Sequence, residues 1–178
     1  MIAAYLPNEK NIILETVRHM LTCVDVPLDR FQVILAYNTP ESLTIEADLQ
    51  EIAARDPRLL PLRVSDSRSK AESVNAALGA ATGEIVAIYD ADHLPVADCF
   101  YRAWRQLSAG ADTVQGRCLI RNHVRNRLIR TITMKFDTIY TVSHRGRASL
   151  SGNAIFGGSD GYWQRETLTA GTEPSHAD

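Results

Sequence analysis

Along its first two thirds the chain alternates short apolar runs with longer stretches of periodic apolar positions. Residues 2–6 are one such run, Ile2-Ala3-Ala4-Tyr5-Leu6, closed by Pro7-Asn8-Glu9. The run reads as a buried strand and the residues that close it as a turn. Residues 11–22 then carry apolar side chains at 12, 13, 17, 20 and 21, the spacing of one helix face. Residues 31–37 form a second buried strand, ended by Asn38-Thr39-Pro40, and 42–54 a second helix with Leu49, Ile52 and Ala53 on one side. A shorter third strand covers 59–64. Ser69-Lys70-Ala71-Glu72 has the form of a capping box, in which the Ser69 hydroxyl accepts from the Glu72 amide and the Glu72 carboxylate reaches back to the Ser69 amide. It opens a helix with Val74, Ala77, Leu78 and Ala81 on one side, ended by Gly83. Residues 84–89 are the fourth strand, and 98–109 a fourth helix stopped at Gly110.

Strands therefore begin near 2, 31, 59 and 84, the repeat of successive β-α-β units. Continuous apolar strands between helices imply an α/β fold: a mostly parallel sheet flanked by helices on both faces. Open sheets of this kind bind ligands beyond the carboxyl ends of their strands. Those ends are Pro7-Asn8-Glu9, Tyr37-Asn38, residues 65–70 and Asp90-Ala91-Asp92. The remainder changes character. Residues 112–119 read as a further strand, and 125–142 as an amphipathic helix whose Ile129, Ile132, Phe136, Ile139 and Tyr140 are core or partner contacts. Residues 149–161 are rich in Gly and Ser around Ala154-Ile155-Phe156, and 169–178 lack periodicity and are expected to fray as a disordered tail.

Composition narrows the class. With 178 residues, 45% hydrophobic and 22% charged, the chain is too apolar for a disordered protein and sized for one domain. Its apolar runs, such as Ile85-Val86-Ala87-Ile88-Tyr89, are far below the roughly 18 residues a membrane span needs. The first residues of the sequence do not read as a basic-then-apolar leader. Cys23, Cys99 and Cys118 are far apart and show no zinc-ligand spacing, so they read as small buried side chains in a reducing compartment. The net charge of −2 hides a segregation. Residues 1–114 hold 10 Lys and Arg against 16 Asp and Glu; residues 115–147 hold 8 against 1. The basic residues Arg117, Arg121, Arg125, Arg127, Arg130, Lys135, Arg145 and Arg147 admit three readings: a solvated helix face, contact with an anionic membrane surface, or nucleic acid. Nucleic acid is the weakest, because no aromatic interleaving or binding motif accompanies the charge. Contact of a single Arg with a diphosphate is a further use.

The sharpest chemical feature is Asp90-Ala91-Asp92-His93 at the end of the fourth strand. Residues two apart on a strand point the same way. Two carboxylates held together repel, and a hard divalent cation, Mg²⁺ or Mn²⁺, relieves that repulsion. The alternative is a turn with Asp caps. His93 reads as a hydrogen-bonded strand-end residue rather than a ligand. Asn8 and Glu9 can equally serve as the cap and first turn of the first helix. Lys70 lies in the first turn of a helix, where a cation opposes the dipole, which favours a functional use.

Taken together, Tyr5-Leu6-Pro7-Asn8-Glu9, Ser69-Lys70-Ala71-Glu72-Ser73-Val74-Asn75, Gly83-Glu84-Ile85-Val86, Asp90-Ala91-Asp92, Val114-Gln115-Gly116-Arg117 and Phe156-Gly157-Gly158-Ser159 resemble, in order and spacing, the family 2 glycosyltransferases. The resemblance runs over residues 2–168 and implies a single domain of the GT-A nucleotide-diphospho-sugar fold. Residues 1–114 would bind the nucleotide sugar, and 115–168 would form part of the acceptor side. It implies a uridine diphosphate sugar as donor and transfer to a hydroxyl acceptor on a glycan or a lipid-linked chain. Asn8 and Glu9 would lie near base and ribose, Lys70 near the nucleotide, Asp90 near ribose and metal, and Asp92 on the metal. Asn38 stands where members of the family carry an acidic residue, and can hydrogen-bond a uracil edge. The family's Thr-Glu-Asp and Gln-x-x-Arg-Trp motifs are not found in these residues. Thr172-Glu173-Pro174 is a superficial echo, and Asp160 reads as a turn residue rather than a substitute base. The chain is thus expected to stop before the catalytic base. The alternative is a catalytically incomplete fragment or a non-catalytic nucleotide-sugar-binding module. A sugar-nucleotide pyrophosphorylase fits less well, since Pro7-Asn8-Glu9 is not the Gly-rich basic loop it would want. The expected location is the cytoplasm or the cytoplasmic face of a membrane.

Overall fold

The computed structural model describes residues 1–121, 126–153 and 155–170. Strands β1 (Ile2–Tyr5), β2 (Val33–Asn38), β3 (Leu59–Arg63), β4 (Ile85–Asp90), β5 (Thr113–Gln115) and β6 (Gly161–Gln164) form one sheet in the order β3-β2-β1-β4-β6-β5. The four strands expected from the repeat pair in parallel, with Ile2 opposite Leu35 on one side and Tyr89 on the other. The other two are antiparallel: β6 pairs with β4 and with β5. The sheet is therefore mixed.

Side chains alternate across it as the pleat requires. Val33, Leu35 and Tyr37 of β2 face helices α2 (Ile13–Thr22), α3 (Thr44–Arg55) and α5 (Cys99–Ser108) in the main core. Ile34 and Ala36 face the opposite way, against Ala77 of α4 (Lys70–Ala80). Helix α2 buries Ile13, Val17, Met20 and Leu21, each of which contributes about 1.5–3 kcal/mol if fully transferred from water. An aromatic cluster closes the far end. Phe100 of α5 meets Phe31, Tyr89 and Tyr162 with ring centroids 5.3, 6.3 and 5.7 Å away.

Several elements differ from the pattern. Residues 6–9 are not an open turn but one helical turn, α1 (Leu6–Glu9), because Pro7 suits a first-turn position and the Glu9 carboxylate accepts from the Tyr5 amide at 2.7 Å. Helix α4 ends at Ala80, before Gly83. The long amphipathic stretch is α6 (Arg127–Asp137), a π-helical stretch (Thr138–His144) and α7 (Arg145–Ser151), ended by Gly152 in the left-handed region at φ 69°. It buries no residue, so the core role expected of Ile129, Ile132, Phe136, Ile139 and Tyr140 is not met. Thr169 and Ala170, expected to fray, belong to α8 (Arg165–Ala170). Cys23 is exposed, and Cys99 and Cys118 are half-buried rather than core. Arg125, Ala154, Thr172-Glu173-Pro174 and the remaining tail lie outside the described residues.

Candidate active site

The carboxyl ends of β1, β2 and β4, with the N-terminus of α4, surround a cavity of about 470 Å³ lined by Tyr5, Glu9, Asn38, Arg68, Lys70 and Asp90, among others. Asn8, the exposed residue of α1, is not among the lining residues. Each side chain is held for a reason. Asn38 ends β2, and its amide donates to the Ser67 carbonyl, which leaves its side-chain oxygen free to accept. Ser69 caps α4 by accepting from Glu72 N at 3.2 Å. The reciprocal half of the capping box is shifted by one residue: Glu72 accepts from Arg68 N at 2.6 Å. Arg68-Ser69-Lys70 is thereby fixed at the cavity wall. Lys70 Nζ donates to the Asp90 carboxylate and to the Gly158 carbonyl. Glu9 has its pKa raised. Burial is the largest cause, the Tyr5 amide opposes it, and the charges of Asp92 and Asp90 add to it.

The turn after β4 is pinned from below. Buried Thr16 donates to the Ala91 carbonyl at 2.5 Å, and His19 Nε2 bonds the Pro95 carbonyl at 2.7 Å. Asp90, Asp92 and His93 each bring one ligand atom into a group whose members lie within 4.8 Å of one another. That spacing suits a divalent cation, and the two carboxylates suit Mg²⁺ or Mn²⁺. Lys70 already pairs with Asp90, so an ion held there would share that carboxylate with the ammonium. His93 is hydrogen-bonded, as expected: Nδ1 lies 2.7 Å from Ser159 Oγ, while Nε2 lies 3.9 Å from Asp92. If Nδ1–H donates to Ser159, Nε2 keeps a lone pair for a cation. The reverse polarity aims Nε2–H at Asp92.

Asp92 and His93 also line a second cavity of about 820 Å³, with Cys99, Arg105, Cys118 and Asp160 among its walls. The acidic turn is therefore a ridge between two cavities. Asp160 sits at φ 56°, so the sequence-based turn assignment holds, but its carboxylate is half-buried and accepts from the Tyr162 hydroxyl at 3.0 Å. The Tyr89 and Tyr162 hydroxyls bond each other. Burial raises the Asp160 carboxyl, against hydrogen bonds from both tyrosines, and drives both phenols far above their ordinary value.

Two site residues were missed as such, Gln115 and Ser159. Gln115 Nε2 donates to the carbonyls of Gly116, Ser159 and Asp160 at 2.9, 2.9 and 3.1 Å, and its Oε1 accepts from Gly157 N at 2.9 Å. It clamps the loop that hands the Gly158 carbonyl to Lys70. Ser159 Oγ, in the same loop, accepts from Asp90 N at 2.8 Å. Gly116 is required here, because a Cβ would overlap the Asp160 carboxylate. Both residues lie in quoted motifs, yet only the fold carries them to Asp90.

The mixed α/β sheet with an acidic turn between two cavities agrees with the GT-A glycosyltransferase fold that the motifs imply. The sequence model of glycosyl transferase family 2 matches residues 2–166, so the chain belongs to that family. No curated protein matches it. Among solved structures, the mannosyltransferase PcManGT from Pyrobaculum calidifontis, in complex with GDP-Man and Mn²⁺, is similar at TM-score 0.63 and 23% identity over 96% of this chain and 45% of that one. S. aureus TarS is similar at TM-score 0.52 and 19% identity over 70% of this chain and 38% of that one. TarS in complex with UDP-GlcNAc is similar at TM-score 0.53. The chain spans less than half the length of these structures.

Proposed function

We propose that the chain binds a nucleotide-diphospho-sugar, a UDP-sugar, in the 470 Å³ cavity and transfers the sugar to a hydroxyl acceptor placed in the 820 Å³ cavity. One observation carries this: Lys70 and Asp90, brought together from α4 and β4, close the first cavity beside Asp92, which opens on the second. Glu9 and Asn38 line the base and ribose end, and the free Asn38 oxygen accepts from a uracil ring N–H. Asn8, exposed on the adjacent turn, serves the same end. Lys70 offers an ammonium to a diphosphate oxygen. Asp90 and Asp92, with His93, would hold Mg²⁺ or Mn²⁺. Such an ion, when bound, supplies Lewis-acid stabilisation to the charge left on a departing diphosphate. The solved GDP-Man and Mn²⁺ complex of PcManGT and the UDP-GlcNAc complex of TarS support this reading by analogy of fold. The three free thiols agree with a cytoplasmic setting.

The test is calorimetric titration with UDP-GlcNAc and with GDP-Man, each with and without Mn²⁺, followed by donor turnover. Asp92→Asn is expected to weaken Mn²⁺-dependent donor binding at least about tenfold, a change of about 1.4 kcal/mol. Binding without turnover would make the chain a nucleotide-sugar-binding module instead. Absence of metal-dependent binding to either donor would overturn both.

A further inference from the structure

The helical segment 127–151 is seated on the protein by a mixed side. Its half-buried positions include Ile129, Ile139 and Tyr140 beside Thr133, Asp137 and His144, while Leu128, Met134, Val142 and Leu150 are 69%, 71%, 65% and 91% exposed. Ile132 and Phe136 are exposed as well. Thr141 Oγ1 and His144 Nδ1 are buried without a hydrogen-bond partner among the described residues. An unpaired buried polar atom costs about 1–3 kcal/mol. The segment therefore buries only part of its apolar surface and leaves a row partly in water, Leu128 at 69%, Ile132 at 38% and Phe136 at 37%. Three and four residues separate members of such a row on one helix face.

Charge decides what would cover that row. Arg127, Arg130, Lys135, Arg145 and Arg147 are all exposed, and none makes an ion pair with a described residue. The segment's one acidic residue, Asp137, is already spent on Arg117 at 2.8 Å. A helix with an apolar row flanked by uncompensated Arg and Lys has the physics of an interfacial helix. Its apolar side chains enter the acyl boundary while the long basic side chains reach the headgroups. Among the described residues no helix is long and apolar enough to cross a membrane.

We propose that segment 127–151 docks the protein flat on an anionic phospholipid surface through Leu128, Ile132 and Phe136 and their flanking basic residues. The Arg117–Asp137 pair ties the segment to the wall of the 820 Å³ cavity, so docking sets that cavity beside the bilayer. The proposal does not depend on the donor site, which uses none of these side chains.

Sedimentation with phosphatidylglycerol-containing vesicles and with pure phosphatidylcholine vesicles tests it. The protein is expected to pellet with the anionic vesicles only, and to be released as salt shortens the screening length from about 8 Å to about 3 Å. Each of Arg127→Glu and Lys135→Glu should lower vesicle partitioning about fivefold or more, the equivalent of about 1 kcal/mol per basic residue. Ile132→Ser with Phe136→Ser should abolish it. All four sites are exposed, so unchanged circular dichroism and unchanged donor titration show that the fold survives. Failure to pellet with anionic vesicles at low salt would overturn the proposal. So would equal pelleting with phosphatidylcholine, or a dimer in analytical ultracentrifugation that the Ile132→Ser/Phe136→Ser variant dissolves. Binding of nucleic acid in place of vesicles would assign the surface to that partner.

Discussion

Asp160 is held in the left-handed region at φ 56° by two backbone bonds: its amide donates to the Ile88 carbonyl at 2.8 Å and its carbonyl accepts from Gly116 N at 2.6 Å. That geometry drives its carboxylate into the tyrosine cluster, where burial outweighs the hydrogen bonds and raises its pKa. A carboxyl raised in the folded state binds its proton more tightly there than in the unfolded chain. Its favourable contribution is complete below the unfolded value of about 3.9 and is lost as pH rises through the folded value. Glu9, also raised, acts in the same direction. These two groups make the urea midpoint fall as pH rises from about 4, whereas Asp56, lowered by Arg58, and the buried N-terminal amine, lowered to about 5, act the other way, so the contribution of Asp160 is read from the difference between wild type and variant. Asp160→Asn should remove part of that fall, because Asn keeps an acceptor for the Tyr162 hydroxyl and tolerates a positive φ. Parallel wild-type and variant profiles would show that Asp160 is charged at little cost. None of this was legible from Gly158-Ser159-Asp160-Gly161. A turn could be read there, but Tyr89 and Tyr162, which define the environment, lie on β4 and β6.

Elements whose own residues carry the apolar pattern were readable, even β1 with four residues and β5, three residues inside the strand expected over 112–119; β6 was not. Helices α2 to α5 and strands β1 to β4 each carry several periodic or consecutive apolar residues, and their positions emerge within a few residues. Strand β6 has four residues, Gly161-Tyr162-Trp163-Gln164, and its burial comes from sitting between two strands, which no local pattern records. The amphipathic segment was readable as a helix but not in its seating, because amphipathicity states which face is apolar and not what covers it. The N-terminus of α4 was legible in its cap and misjudged in its partner: the Glu72 carboxylate takes the Arg68 amide rather than that of Ser69. The Ser69 hydroxyl satisfies one of the orphan amides of the first helical turn. Ser69→Ala should cost about 1 kcal/mol in urea unfolding. It should also weaken donor binding, since Lys70 is the next residue and depends on that turn for its reach to Asp90. Loss of stability with donor affinity unchanged would show that the Arg68–Glu72 bond alone fixes Lys70.

The sheet runs β3-β2-β1-β4-β6-β5, so the last strand of the sheet in the sequence is inserted between the two before it. The division suggested by charge, with an acidic part ending at residue 114, therefore does not coincide with any edge of the structure. Cutting there would expose the backbone of Val86, Ala87 and Ile88, which pair with Trp163, Tyr162 and Gly161. It would strip the hydroxyl partner from Tyr89 and one aromatic neighbour from Phe100. It would also remove Gly158 and Ser159 from Lys70 and Asp90, so the surroundings of these two residues are completed by chain from beyond residue 114. β4 would become an open edge beside β1, and an exposed edge strand carrying apolar residues is a template for aggregation. Residues 1–170 are expected to show one cooperative thermal transition with a near-ultraviolet dichroism signal from the aromatic cluster. Residues 1–114 are expected to lose that signal and to aggregate or melt without cooperativity. A cooperative transition in 1–114 would instead show that the parallel strands and their helices stand alone. The antiparallel pair would then be an addition that completes the site without being needed for the fold.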